Sequence, residues 1–501
     1  MDHRADTYID GTWVENNGED VIAVIDPSTG QCVATVRESA TEDMDRAVEA
    51  ARRARPVLRA MEPADRAGLL ERVADHLENR LDEIAALISS EMGMPRKHCA
   101  NYQVRTAVGT FRNTARAVAD VDFAAPLDGP APSGGSTVLR EPVGVVAAMT
   151  PWNFPLLQTA AKIGPALAAG CPVVLKPSEV APLDAFVLAE AFDAAGAPPG
   201  SFNLLFGNGL HVGEYLARHP GTAMVSLTGS TRAGRRVAEV AAGSIKRVTL
   251  ELGGKSAAVV LPDGDLAAAV ERVVRTVLIN TGQTCTALSR LLVPFQSLPE
   301  AEQLVAAAMA TYRVGPSGDP DADVGPLASW NQKHRVTEAT ERALVDGGRT
   351  IWSFPDAELP RDGYFTSPTA FTVNDPRIAL AQQEVFGPVL AVIPYVDEDE
   401  AVSIANGTPY GLAGAVWSAD EEHALRFAER MEAGSIEING APFNGLAPFG
   451  GYKQSGYGRE LGAFGITQFT ELKAIQRHTT KGPSEARPLN GGGRGLEDGA
   501  R

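Results

Sequence analysis

From residue 143 onward, short apolar runs alternate with alanine-rich stretches, and this rhythm restricts the fold more than any other property of the chain. "GVVAAMT" is followed by "LLQTAAKIGPALAAG", "PVVLK" by "APLDAFVLAEAFDAAG", "FNLLFG" by "LHVGEYLARH" and "AMVSLTGS" by "AGRRVAEVAAG". Strands that each lead into a helix predict parallel βαβ units and a doubly wound α/β sheet. A second alternating stretch begins near Ser256 and continues past Asn439. With 501 residues, 44% of them hydrophobic, the chain can fill more than one core. Ahead of the alternation, residues 42–114 carry apolar positions at i, i+3, i+4 and i+7, which predicts amphipathic helices. A Pro/Gly-rich piece near 121–140 predicts turns between short extended segments, and the Gly-rich, charged tail 481–501 is expected to be disordered.

Charge and composition remove several function classes. A formal charge of -17 leaves no basic face for nucleic acid. The start, "MDHRADTYIDGTWV", has no apolar core of a secretory signal, and no apolar stretch is long enough to cross a bilayer, so a cytoplasmic protein is expected. Cys32, Cys99, Cys171 and Cys285 are widely spread and the eight histidines lack ligand spacing. Neither a disulfide framework nor a metal site is expected.

Several glycine turns compete for a phosphate. In "TGSTRAG", Gly229 and Ser230 follow an apolar run and Gly234 opens a helix, an arrangement that aims backbone N–H groups and a positive dipole end at an anion. "GNGLHVG" has the spacing GxGxxxG and matches the dinucleotide fingerprint poorly. "GGKS" at 253–256 lacks the first glycine of a phosphate-binding P-loop and leads into a strand, so that reading is rejected. In "VVLKPSE", Pro177 ends the strand and leaves Lys176 and Glu179 at its carboxyl edge, where ligands of open α/β sheets bind. A carboxylate there can accept hydrogen bonds from ribose hydroxyls and repels a 2′-phosphate.

"LINTGQTCTALSRLLVP", residues 278–294, holds Cys285 between small polar residues just ahead of an apolar run that reads as a strand. By itself such a cysteine can be inert filler or a nucleophile.

Seven motifs, in order, resemble the NAD(P)-dependent aldehyde dehydrogenase superfamily: "TPWNFP" (150–155), "LKPSE" (175–179), "TGST" (228–231), "LELGGK" (250–255), "GQTC" (282–285), "EVFGPV" (384–389) and "PFGGYKQSG" (448–456). The resemblance runs from about residue 8 to 476. It implies a Rossmann-like NAD-binding domain (1–120 and 141–250), an α/β catalytic domain (251–435), and a small β oligomerisation arm (121–140 and 467–480) in a homodimer or homotetramer. It assigns the nucleophile to Cys285, the oxyanion-binding amide to Asn153 and the general base to Glu251. Glu460 corresponds to a carboxylate that some members use in proton relay, although a helix N-terminal charge explains it equally well. For the cofactor it implies Lys176 and Glu179 at the adenosine ribose. Gly229 and Ser230, with Trp152 nearby, would meet the pyrophosphate; Leu252 would line the cofactor site, and Glu384 and Phe386 would meet the nicotinamide riboside. Glu179 favours NAD, with NADP the alternative. The substrate tunnel would be lined by Phe154, Leu157, Gln158, Ala161, Thr284, Thr286 and Phe443, which include no Arg or Lys to anchor a carboxylate. A medium-chain or aromatic aldehyde is expected, oxidised to the acid. The rival readings are a coenzyme-A-acylating relative, which tends to lack the glutamate at position 251, and a cofactor-independent cysteine esterase.

Overall fold

The computed structural model describes residues 2–128 and 135–477. The tail 481–501, read above as disordered, and residues 478–480 of the expected arm lie outside them. The alternation after residue 143 forms parallel strands, as its pattern requires. Five run side by side in the order Arg247–Glu251, Met224–Thr228, Val146–Met149, Val173–Lys176, Phe202–Leu204. Antiparallel Gly456–Tyr457 extends one edge; Asp6–Ile9 and Thr12–Glu15 extend the other, making eight strands. The chain winds outward from Val146–Met149 in one direction and then restarts on its other side with Met224–Thr228. The crevice at that reversal is where such sheets bind ligands.

A second sheet of seven strands is parallel from Thr369–Thr372 through Val389–Tyr395, Arg290–Pro294, Ala257–Val260 and Ala413–Trp417 to Ser435–Ile438, with antiparallel Arg349–Ser353 on one edge. Val259, Leu292, Val389 and Ile393 pack toward one of its cores, and Val260, Leu291, Val293 and Val392 toward another, with both sets buried. Such two-sided burial is what parallel strands of continuous apolar sequence demand. Because the chain passes from Glu251 to Ala257 through only five residues, the carboxyl edge of the first sheet adjoins the amino edge of the second.

The helical region 42–114 is divided into several helices, and one division falls inside an unbroken apolar pattern. Residues 66–93 form two helices, Pro63–Glu78 and Leu81–Met92, because Asn79 and Arg80 fall out of helical continuity between them. Residues 122–128, 135–141 and 471–477 form a separate unit with a three-stranded sheet ordered Thr470–Gln476, Ser136–Pro142, Ala124–Leu127. Among the described residues no helix is long and apolar enough to cross a membrane.

Candidate active site

Both sheet edges deliver chemistry to one place. Asn153 follows the strand Val146–Met149, Gly229 follows Met224–Thr228, and Glu251 ends Arg247–Glu251. From the second sheet, Gly253 to Lys255 precede Ala257–Val260, Cys285 precedes Arg290–Pro294, and Glu384 to Gly387 precede Val389–Tyr395.

The Cys285 loop is built on backbone that L-residues rarely adopt. Asn280, Thr281 and Gly282 all have positive φ (51°, 55° and 71°), and a Cβ on Gly282 would stand 2.1 Å from the Gly387 carbonyl oxygen. Conformations of this kind persist only where surrounding contacts hold them. Here the contacts come from side-chain amides and a hydroxyl. Gln283 is fully buried; its Nε2 donates to the Asn280 carbonyl at 3.0 Å and its Oε1 accepts from the Ala328 N–H at 2.9 Å. Thr281 Oγ1 donates to the Gly325 carbonyl at 3.0 Å. Cys285 itself is half-buried. Burial, reinforced by the charges of Glu384 and Glu251, pushes its thiol up to about 12. Both carboxylates therefore lie within electrostatic reach of the sulfur.

Asn153, buried at 4% exposure, caps no Asx turn with its side chain. Its Nδ2 donates instead to the Gln283 carbonyl at 2.8 Å, across 130 residues of sequence. Its own carbonyl accepts from Asn280 Nδ2 at 2.8 Å and from Gln103 Nε2 at 3.0 Å. The amide is thus clamped against the Cys285 loop, and an amide nitrogen carries a second N–H for another acceptor.

Glu251 is 3% exposed and neither carboxylate oxygen has a hydrogen-bond partner. Burial raises its carboxyl well above the usual range, Glu460 raises it further, and Lys162 and Arg459 oppose them. A carboxylate raised in this way binds a proton more strongly than a free one, which is what a general base needs in order to take one from water. Glu460 stands just ahead of the helix Gly462–Gln468 and is also paired. Its Oε1 accepts from Lys162 Nζ at 2.6 Å, with both side chains nearly enclosed. Lys162 projects from the helix Pro155–Ala168, whose face is buried almost throughout.

The expected cofactor residues stand at strand ends or in the turns beside them. Gly229 donates its N–H to the Glu251 carbonyl at 3.0 Å, and Ser230 caps the helix Thr231–Ala242 by accepting from the Ala233 N–H. A Cβ on Gly229 would meet only Leu227, so the turn is open to a phosphate. Lys176 Nζ donates to the carbonyls of Pro177 (2.6 Å) and Gly207 (2.8 Å) and lies 3.6 Å from Glu179 Oε2. Leu252 packs on Gly234, where a Cβ would come within 2.6 Å of it. Trp152 and Phe386 meet edge-to-face with centroids 5.4 Å apart, and Phe386 holds φ at 56° while its carbonyl accepts from Gln332. Glu384 Oε1 accepts the Gly254 N–H at 3.1 Å. The open Gly229 turn, the Lys176–Glu179 pair and the Glu384 carboxylate are the groups this region offers to a dinucleotide.

A family model described as the aldehyde dehydrogenase family matches residues 13–475. The chain belongs to that family. It is an oxidoreductase that acts on the aldehyde group. A 3-succinoylsemialdehyde-pyridine dehydrogenase of a Pseudomonas species is 45% identical over 472 residues, covering 93% of this chain and 97% of that protein. Among solved structures, a mutant of aldehyde dehydrogenase C from Pseudomonas syringae in complex with NAD+ and octanal superposes with a TM-score of 0.91 at 41% identity, over 95% of this chain and 97% of that one. The aldehyde dehydrogenase of Mycobacterium tuberculosis complexed with NAD+ gives 0.92 at 38%, over 95% and 99%.

Sequence reasoning about this dehydrogenase missed four groups that hold the site together, Gln103, Lys162, Asn280 and Gln283, and the enclosed Lys255. Only the amides of "LINTGQTC" offered a signal, two long polar side chains in a segment otherwise small or apolar. Of the expected tunnel residues, Ala161 is buried and Phe443 is 65% exposed, packed edge-on against Phe449.

Proposed function

We propose that the protein oxidises an uncharged aldehyde through a thioester on Cys285 that is released by hydrolysis, with NAD as the hydride acceptor. The observation that carries this reading is the enclosed, partnerless Glu251 carboxylate within charge range of the Cys285 sulfur. The thiol gives its proton to solvent water and the sulfur adds to the carbonyl carbon, while the second amide N–H of Asn153 and the Cys285 backbone N–H bind the resulting oxyanion. Hydride departure leaves a thioester. Glu251 then takes a proton from water, whose oxygen attacks the acyl carbon and expels the Cys285 sulfur with the acid as product. The Glu460–Lys162 pair offers a path for that proton. Lys176 and Glu179 bind the adenosine ribose, Gly229 and Ser230 with Trp152 the pyrophosphate, Leu252 the cofactor's flank, and Glu384 and Phe386 the nicotinamide riboside. Glu179 favours NAD over NADP. Presence of Glu251 favours hydrolysis over acyl transfer to coenzyme A.

The division into a cofactor domain (1–120 and 141–250), a catalytic domain (251–435) and an oligomerisation arm (121–140 and 467–480) belongs to the same reading, as do a homodimer or homotetramer and cytoplasmic residence. The absence of Arg and Lys from the expected tunnel supports an apolar or aromatic tail. One relative is named for 3-succinoylsemialdehyde-pyridine and another was solved with octanal.

An aldehyde panel followed at the NADH absorbance, with NADP in parallel, tests the reading: octanal and aromatic aldehydes should be oxidised faster than short semialdehyde acids, and faster with NAD. Preference for the acids or for NADP contradicts it. Asn153→Ala should lower kcat on the order of 100- to 1000-fold while NAD affinity is retained, the loss expected for one oxyanion donor. An unchanged kcat removes the amide from that role.

A further inference from the structure

No step above uses Lys255, although it directly follows Gly254, whose N–H holds the carboxylate assigned to the nicotinamide riboside. Its side chain is 2% exposed and its Nζ makes no hydrogen bond. An ammonium enclosed without partners is costly unless a nearby negative charge offsets the lost water. Arg290, its cationic neighbour, supplies none. That guanidinium is fully enclosed and bonds the carbonyls of Lys255, Ile404 and Ala405 at 2.9, 2.6 and 2.7 Å. The small cavity that Lys255 and Arg290 share is also lined by Tyr410, Asn406 and Glu432. Glu432 is committed to Lys453 at 2.5 Å. Its volume, about 10 Å³, has room for roughly one water.

Glu384 remains. Gly253 and Gly254 press against its carboxylate: the Gly254 N–H donates to Oε1 at 3.1 Å, and a Cβ on Gly253 would stand 2.1 Å from Oε2. The Glu384 charge is the one that supports the Lys255 ammonium, against burial and Arg290. On its other sides Glu384 faces the Cys285 thiol and the Tyr410 hydroxyl, both of which its charge raises.

We propose that Lys255 is a positioning residue that keeps the Glu384 carboxylate ionised and oriented to accept hydrogen bonds from the nicotinamide ribose hydroxyls. The inference rests on the reading of Glu384 as a cofactor contact. Burial pushes Glu384 up to about 7 even with the Gly254 N–H and Lys255 opposing it, and it pushes Lys255 down to about 7. At neutral pH, removal of the ammonium therefore leaves the carboxyl protonated and a poor acceptor. Near pH 9 the carboxyl ionises with or without the lysine, and Lys255 has itself lost its proton. Parent and variant then converge.

The test is NAD binding to the full chain by titration calorimetry at about pH 7 and about pH 9, without aldehyde, for the parent, Lys255→Met, Glu384→Gln and the double variant. Lys255→Met should raise the Kd for NAD about tenfold at the lower pH, as a shift of about one pKa unit implies, and match the parent at the higher. Glu384→Gln should weaken binding at both, and the double variant should be no weaker than Glu384→Gln. Melting curves identify a misfolded variant, and Lys255→Gln replaces Lys255→Met in that case with the same expectation. Parent-like binding by Lys255→Met at the lower pH, equal weakening at both, or losses that add in the double variant overturns the role of Lys255. Parent-like binding by Glu384→Gln removes the cofactor contact on which it rests. The reading out of binding alone keeps these outcomes separate from failure of aldehyde oxidation.

Discussion

Cys285→Ala is expected to bind NAD as tightly as the parent and to form no NADH from any aldehyde, a fall on the order of 10⁴-fold or more. The loop should survive the change. Its backbone is held by Gln283, Thr281 and the Asn280 amide, none of which bonds the Cys285 side chain. Substitution therefore removes the sulfur and leaves the clamp. NADH absorbance after mixing with octanal, beside an NAD titration, checks both halves. NADH formed at the parent's rate would take Cys285 out of the mechanism, and lost NAD binding would mean that the loop needs the thiol for its shape.

Glu251→Gln carries the second large effect. Glutamine keeps the shape and cannot accept a proton from water, so thioester hydrolysis should slow by about 100- to 10,000-fold, the range of general base contributions. Formation of the thioester should persist. The neutral amide removes one of the two negative charges that raise the Cys285 thiol, which makes the sulfur easier to ionise. Steady turnover should therefore collapse while one rapid equivalent of NADH per subunit remains.

How far the sequence disclosed this site depends on the distance over which each group acts. Cys285, Asn153, Glu251 and Glu384 stand in contiguous motifs, because each needs a local turn that places it at a strand end. The strand ends themselves follow from alternation of apolar runs. Lys162 gave no such signal: it lies mid-helix among apolar neighbours, and its partner Glu460 is 298 residues away. A salt bridge of that kind exists only after both sheets have formed. Gln103 is similar, since its acceptor is the carbonyl of Asn153, 50 residues along. Lys255 was weighed only as the end of a phosphate loop. That reading fails because the strand Ala257–Val260 follows, as expected, but nothing local betrays that the ammonium turns inward to an enclosed space. The helix break at Asn79 was missed because neither Asn79 nor Arg80 is a strong breaker, and the heptad-like apolar spacing runs straight across them.

Intact mass of the Glu251→Gln variant, taken seconds after mixing with NAD and octanal, tests the central claim most directly. A single acyl group on each chain, absent when Cys285 is also replaced by alanine, is the predicted result. A chain without added mass, turning over octanal at the parent's rate, would contradict both the covalent route and the carboxylate that ends it.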